Sequence, residues 1–127
     1  MPVASRNDFP QFRREGVFLE TLVASAARTT TGNSGVLTGF GPVKTLRVAL
    51  NITAASGTTP TLDVVIEDTL DGTNFFTIGT FTQKTAAGAD VLNVTAPFAD
   101  SVRIRWTIGG TTPSFTFDVR AISALGI

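Results

Sequence analysis

Residues 46–67, LRVALNITAASGTTPTLDVVIE, decide the fold of this chain. Apolar side chains recur at every second position on both sides of a GTTP break at 57–60. The chain repeats this pattern at residues 102–122, VRIRWTIGGTTPSFTFDVRAI, with the same GTTP at 110–113. A period of two indicates strands with one buried face. We therefore predict one β-hairpin in each stretch, and the two hairpins are expected to face each other across a sandwich core.

Turn residues divide the rest of the chain into further short strands. Residues 16–27 fit a strand or a short helix, and their β-branched and aromatic content favours the strand. Asp71 and Gly72 are typical of a tight turn after a strand that ends near Thr69. Three more strands are expected at 36–40, 75–81 and 91–95. This spacing predicts an all-β fold, an antiparallel β-sandwich or jelly roll of about eight strands.

The first sixteen residues differ from the rest. Residues 1–16 are polar, contain two prolines and show neither helical nor strand periodicity, so we predict an extended N-terminal arm. With 127 residues in all, 43% of them hydrophobic, residues 17–127 are expected to form a single β-sandwich domain. Aromatic groups on such an arm are expected to bury against the parent domain or a neighbouring copy. The predicted partner-binding residues are Phe9, Phe12, Arg13 and Arg14.

Composition excludes several classes of function. Ten basic residues balance ten acidic ones, so the chain has no long-range field to attract nucleic acid or an anionic membrane. The absence of cysteine excludes disulfides and thiolate metal sites. No apolar run approaches the roughly 20 residues of a membrane span, and the N-terminus lacks the apolar core of a signal peptide. We expect a soluble protein folded in the cytoplasm that makes it.

The residues available for chemistry are few. The chain contains no histidine, cysteine or tyrosine, which removes the commonest general base and the thiol nucleophile. The best carboxylate cluster, Glu67 and Asp68 with Asp71, lacks the alternating ligands of a calcium loop. Lys44 and Lys84 fall at strand boundaries, where lysine is usually solvated. We therefore predict that the protein is not an enzyme and has no catalytic residues, cofactor or metal site.

Alternation also assigns the one tryptophan. Trp106 alternates with Ile104 and Ile108, which favours core packing over an exposed sugar-binding platform. We expect a core that includes Leu50, Val64, Ile104, Trp106 and Phe117.

The hairpin interpretation has a consequence for the charged residues. Its register would place Arg103 and Arg105 beside Asp118 and Arg120 on an outer face. That face is either a docking surface or a solvated sheet face. Few charges or prolines guard the edges at 75–81 and 91–95, so we also predict either self-association, with a trimer as one form of it, or burial of an edge by a neighbouring molecule.

Three motifs carry a family resemblance: TLRV at 45–48 with SGTTPTLDV at 56–64, LDGTNF at 70–75, and VRIRWTIGGTTPSF at 102–115. As a set they resemble small structural proteins of tailed bacteriophages, over roughly residues 43–122. The resemblance implies a β-sandwich virion component made in the bacterial host cytoplasm, most specifically a capsid decoration or auxiliary protein. Its implied partner is the major capsid protein or another virion protein.

Other functions stay open at this point. The protein could be a different phage structural component, from the tail or the head–tail connector. A carbohydrate-binding or adhesive module would need exposed aromatic residues on one face or loop rim. An enzyme subunit or lyase-like jelly roll would need a convergent polar cleft.

Overall fold

The computed structural model describes residues 17–40, 43–95 and 97–125. Within these ranges all the regular secondary structure is β-strand, which confirms the all-β prediction. The strands are β1 (Val17–Arg28), β2 (Gly32–Asn33), β3 (Val43–Thr69), β4 (Phe75–Thr80), β5 (Gly88–Thr95) and β6 (Ser101–Leu125). In the described part of the chain no helix is long and apolar enough to cross a membrane.

The two long strands correct the hairpin prediction. β3 and β6 run antiparallel along their whole lengths, from Val43 opposite Leu125 to Thr69 opposite Ser101. Each half of β3 therefore pairs with β6 rather than with the other half of β3. The prediction of two hairpins was wrong because a strand that bends shows the same alternation and the same break as a strand that turns back.

The two GTTP segments are the bends, and they interlock. At 57–60 the backbone has positive φ at Gly57 (115°) and Thr59 (47°), and at 110–113 it has positive φ at Gly110 (110°) and Thr112 (45°). A Cβ on Gly57 would lie 2.8 Å from the Thr112 carbonyl oxygen, and one on Gly110 would lie 2.7 Å from that of Thr59. Glycine is thus required twice over, for its φ and for the close approach of the two backbones.

At these bends the ladder folds over on itself, so that both long strands contribute to two layers. Layer A consists of β1, residues 114–125 of β6, residues 43–56 of β3, and β5. Layer B consists of β2, residues 101–109 of β6, residues 61–69 of β3, and β4. Counting the halves separately, the described residues form eight strand segments in a β-sandwich, as predicted.

The core lies between the layers, and all five predicted core residues are buried. The Trp106 ring from layer B meets the Phe117 ring from layer A edge-on, with 5.5 Å between centroids. The Trp106 Nε1 group donates a hydrogen bond to the Thr30 carbonyl oxygen at 3.1 Å. This satisfies the single polar group of the indole, so its burial leaves no unpaired donor.

Of the short elements, the strand predicted at 16–27 is confirmed as β1 from Val17 onwards, and the turn at Asp71 and Gly72 is also confirmed. The strand predicted at 36–40 is wrong, because regular pairing occurs earlier, at Gly32–Asn33, and only Leu37 bridges to Val102. Gly35 and Gly39 have positive φ, which interrupts the extended backbone there. The two edge strands predicted from the sequence are found at the edges of the layers: among the described strands, β4 in layer B and β5 in layer A each pair with β3 alone.

Candidate docking surface

Three charged side chains form one cluster on the outer face of layer B. Glu67 lies on β3 directly opposite Arg103 of β6. Arg103 Nε donates to Glu67 Oε1 at 2.8 Å, and Arg105 Nε donates to Glu67 Oε2 at 3.0 Å. The Glu67 side chain is 6% exposed, whereas those of Arg103 and Arg105 are 21% and 40% exposed. A buried carboxylate therefore holds two partly exposed guanidinium groups; we call these three residues the arginine cluster.

The cluster replaces the pairing expected from the hairpin interpretation. Asp118 and Arg120 lie on layer A, so they are not neighbours of Arg103 and Arg105. The earlier expectation was wrong because it paired the two halves of β6 with each other. The charged partner comes instead from the second half of β3, which the sequence had placed in a different hairpin.

The electrostatics of the cluster favour the ionised form of its acid. Burial raises the pKa of the Glu67 carboxyl, but hydrogen bonds from Arg103 and Arg105, together with their charges, outweigh this and bring it below its ordinary value. Two positive charges and one negative charge then leave the arginine cluster with a net positive charge at neutral pH. A buried carboxylate in this setting fixes the arginines in position.

A phenylalanine packs against the arginine cluster, and the terminal amino groups of the two arginines extend from it. The Arg103 guanidinium carbon lies 3.5 Å from the centroid of the Phe75 ring, in a cation–π contact. Since both Nε groups bind Glu67, the terminal amino groups of Arg103 and Arg105 are left over. Within the described part of the chain these amino groups have no hydrogen-bond acceptor. They are therefore available to an acceptor on another molecule.

The turn beyond Phe75 presents an apolar side chain on a rigid frame. Asp71 Oδ1 accepts hydrogen bonds from the backbone amides of Thr73 and Asn74, both at 2.8 Å, and Asp71 Oδ2 accepts one from the Asn74 side chain. These bonds hold the pKa of the Asp71 carboxyl well below its usual range. Leu70, which precedes Asp71, is 85% exposed. Loops that a rigid scaffold holds in place often carry binding residues, so Leu70 is a candidate contact residue.

Together these features define the candidate docking surface: Glu67, Leu70, Phe75, Arg103 and Arg105. All of them lie in layer B towards the end where β3 leads into β4. From the sequence, the face with the two arginines was left open between a docking surface and a solvated sheet face, and Phe75 and Leu70 had no role beyond their place in the LDGTNF motif. An apolar residue directly before an Asp-Gly turn was the available clue for Leu70; nothing local pointed to Phe75.

The three carboxylates considered as a metal cluster serve separate structural partners. Glu67 binds the arginines, Asp71 organises the turn, and Asp68 Oδ2 accepts from the Ala99 amide at 2.9 Å. Among the residues the structure describes, no group of three or more histidine, cysteine, aspartate or glutamate side chains could hold a metal ion. Of the two lysines, Lys84 forms a 2.8 Å ion pair with Asp90.

A pocket of about 350 Å³ lies on a different part of the sandwich. It is lined by Glu20 of β1 and by residues 36–40. Among the described residues, Glu20 is the one titratable group in its lining. The predicted partner-binding residues of the arm, Phe9, Phe12, Arg13 and Arg14, lie outside the described residues.

No protein-family model and no curated protein matches this sequence. Solved structures nevertheless share its fold, at 12–13% sequence identity. VP2 of infectious bursal disease virus, in a subviral particle, aligns with a TM-score of 0.54 and 12% identity over 87% of this chain and 33% of the viral one. The present chain thus spans about a third of that protein.

Two further structures match over nearly their whole length. A chain of the Bacillus endospore appendages, described as disulfide-linked pili, has a TM-score of 0.52 and 12% identity over 89% of this chain and 91% of that one. The CBM36-1 domain of a multidomain xylanase from the hindgut metagenome of Trinervitermes trinervoides has a TM-score of 0.50 and 13% identity over 87% and 99%. At these identities the likeness establishes the β-sandwich fold alone.

Proposed function

We propose that this protein is a non-enzymatic structural component of a virion, and specifically a capsid decoration or auxiliary protein that binds the head lattice of a tailed bacteriophage. The observation that carries the proposal is the docking surface: two arginines fixed by a buried glutamate, with an aromatic ring and an exposed leucine at the same end of the layer. Arginine and aromatic residues on a rigid scaffold are characteristic of protein–protein contact sites.

Two other observations support the proposal. The sequence motifs over residues 43–122 resemble those of phage structural proteins, and the fold is one also found in VP2 of a subviral particle. The partner in this proposal is the major capsid protein or another virion protein. Repeated copies would hold the assembly through many individually weak contacts.

The arm has its own place in the proposal. Phe9, Phe12, Arg13 and Arg14 would lie in a seam between neighbouring subunits and add to attachment. Ordering such a segment costs on the order of 1 kcal/mol per residue, which only a specific surface would offset.

The direct test is incorporation into particles. Phage heads assembled without this protein would be incubated with the full chain, and occupancy would be measured by cryo-electron microscopy. We expect saturable binding at symmetric positions. A variant lacking residues 1–14 should fold but bind with reduced occupancy; undiminished occupancy would remove the arm from the proposal. Full-chain protein that fails to bind heads, tails or connectors would contradict the proposed function itself.

The carbohydrate-binding alternative rests on the likeness to the CBM36-1 domain, which this fold matches over nearly all of that domain's length. Against it, Trp106 is buried in the core and cannot stack on a sugar. Affinity electrophoresis in gels containing xylan separates the two functions. Retarded migration of the full chain would support the alternative, and unretarded migration is the result that our proposal expects.

A further inference from the structure

We infer that the docking surface recognises a short acidic and apolar protein segment, whose carboxylate bridges the terminal amino groups of Arg103 and Arg105 and whose apolar side chains contact Leu70. This inference rests on the proposed function and names the chemistry of the partner. The inference starts from the charge of the arginine cluster. Its two arginines and one buried glutamate leave one positive charge that is not neutralised.

The geometry favours a carboxylate as the bound group. Both Nε groups are already directed to Glu67, at 2.8 and 3.0 Å, so the two guanidinium groups share one anchor. Each guanidinium keeps its two terminal amino groups, and such a pair matches planar anions such as carboxylates. The Phe75 ring, 3.5 Å from the Arg103 guanidinium carbon, covers one face of that group and restricts its rotation. Little side-chain entropy is then left to lose on binding.

The surroundings favour a protein segment over nucleic acid or free phosphate. The whole chain has a formal net charge of +0, so no broad positive field supports a phosphate backbone. The strongly exposed Leu70 lies at the same end of the layer and would be left unused by a free anion. An acidic segment with adjacent apolar residues would use both features.

The spacing sets the length of that segment. Arg105 lies opposite Val65 of β3, and Leu70 follows the end of the strand at Thr69. Five residue steps separate Val65 from Leu70, a distance of about 16–17 Å at about 3.3 Å per residue. An extended segment of about six residues would therefore reach from the arginines to the leucine.

The test is an NMR titration of the ¹⁵N-labelled full chain with a capped six-residue peptide. The peptide carries two glutamates at one end and two leucines at the other, and its control has glutamines in place of the glutamates. We expect saturable shifts of the Arg103 and Arg105 Nε–H signals, and affinity about tenfold lower for the glutamine peptide. Equal affinity for both peptides would overturn the inference.

Matched variants locate the site. Arg105→Gln should weaken binding about tenfold, whereas Arg120→Gln, at an exposed arginine on layer A, should leave it unchanged. Leu70→Ser, which spares the arginine cluster, should also weaken binding, whereas Leu19→Ser on the other layer should not. Thermal unfolding of each variant would verify folding. Equal losses within either pair would contradict the inference.

Other outcomes would also overturn the inference. Inorganic phosphate that binds as tightly as the peptide would indicate a general anion site, and a single-stranded oligonucleotide that does so would indicate nucleic acid. A dependence of the Arg103 and Arg105 Nε–H signals on protein concentration without peptide would indicate that a second copy occupies this surface. If the peptide does not bind but the protein still binds phage heads, this inference is wrong and the proposed function stands. If the peptide binds but the protein does not bind heads, the proposed function is wrong and the peptide-binding site stands.

Discussion

The outer faces of the two layers contain the same kinds of charged residue in different arrangements. On layer B, Glu67 binds two arginines of the neighbouring strand, both at 3.0 Å or less. On layer A, Asp118 and Arg120 lie on the same strand, 3.9 Å apart, and the Arg120 side chain is 62% exposed. A long acid placed across strands fixes its partners, whereas a short acid on the same strand leaves its partner solvated. Arrangement, rather than charge count, distinguishes the docking surface.

A substitution in the core beneath both faces should have the largest effect on stability. Trp106→Ala should lower the free energy of unfolding by about 3–5 kcal/mol, because it leaves a large cavity next to Phe117. The measurement is chemical denaturation followed by circular dichroism, since the variant loses the one tryptophan that fluorescence would report. A loss below about 1 kcal/mol would mean that the tryptophan is not in the core.

The acids of the two faces provide the sharpest contrast. Glu67→Gln should cost about 1.5–3 kcal/mol, because it weakens two charge-assisted hydrogen bonds at a buried position. Asp118→Asn should cost less than about 1 kcal/mol, because the Asp118 side chain, although only 11% exposed, forms a long ion pair of 3.9 Å with an arginine that is 62% exposed. Both values come from the same denaturation experiment. Equal costs would show that the two faces do not differ in organisation.

The acid dependence of stability is a smaller effect of the same cluster. The pKa of Glu67 is below its ordinary value of 4.5 in the folded protein, so the unfolded chain takes up the proton first as pH falls. The stabilisation is fully present above pH 4.5 and is lost as the pH falls through the folded-state pKa. Glu67→Gln should flatten this part of the profile. A remaining slope is expected from Asp71 and Asp90, whose pKa values are also lowered.

The edges of the layers extend the comparison to self-association. β5 pairs with β3 through eight consecutive residues without a register shift, whereas the pairing of β4 with β3 shifts between Ile66 and Glu67 of β3, opposite Gly79 and Thr77 of β4. Regular edges are open to further strands and bulged edges are less so. We therefore predict that copies associate through β5.

Val91→Lys tests this edge by adding a charge to β5, and Thr80→Lys on β4 is its control. The first should raise the dissociation constant about tenfold in sedimentation velocity, and the second should not. A strict monomer at every concentration, or equal effects of the two variants, would contradict the prediction.

The sequence was sufficient where structure depends on local residues. The Asp71 and Gly72 turn was predicted because the aspartate binds amides within three residues of itself. The core positions followed from alternation, which remains the same whichever strand is the neighbour. Trp106 was placed correctly for that reason.

The sequence was insufficient where structure depends on distant partners. Alternation identifies the bend at 57–60 but not whether the chain then pairs with itself or with β6. That choice decided which acid lies beside Arg103, so the docking surface could not be assembled before the pairing was known. The close approach of Gly57 and Thr112 could not be predicted either, because it joins two bends that are far apart in the chain.

The shared bends also bear on how the chain folds. Partners in the β3 and β6 ladder are closest in sequence at Thr69 and Ser101 and farthest at Val43 and Leu125. Closing the shorter loop first loses less chain entropy, so pairing is expected to start in layer B and extend through the bends into layer A. Because β3 and β6 each run through both layers, neither layer is built from strands of its own alone. Folding should therefore be a single cooperative event, at the slow rates, milliseconds to seconds, that proteins dominated by distant pairings show.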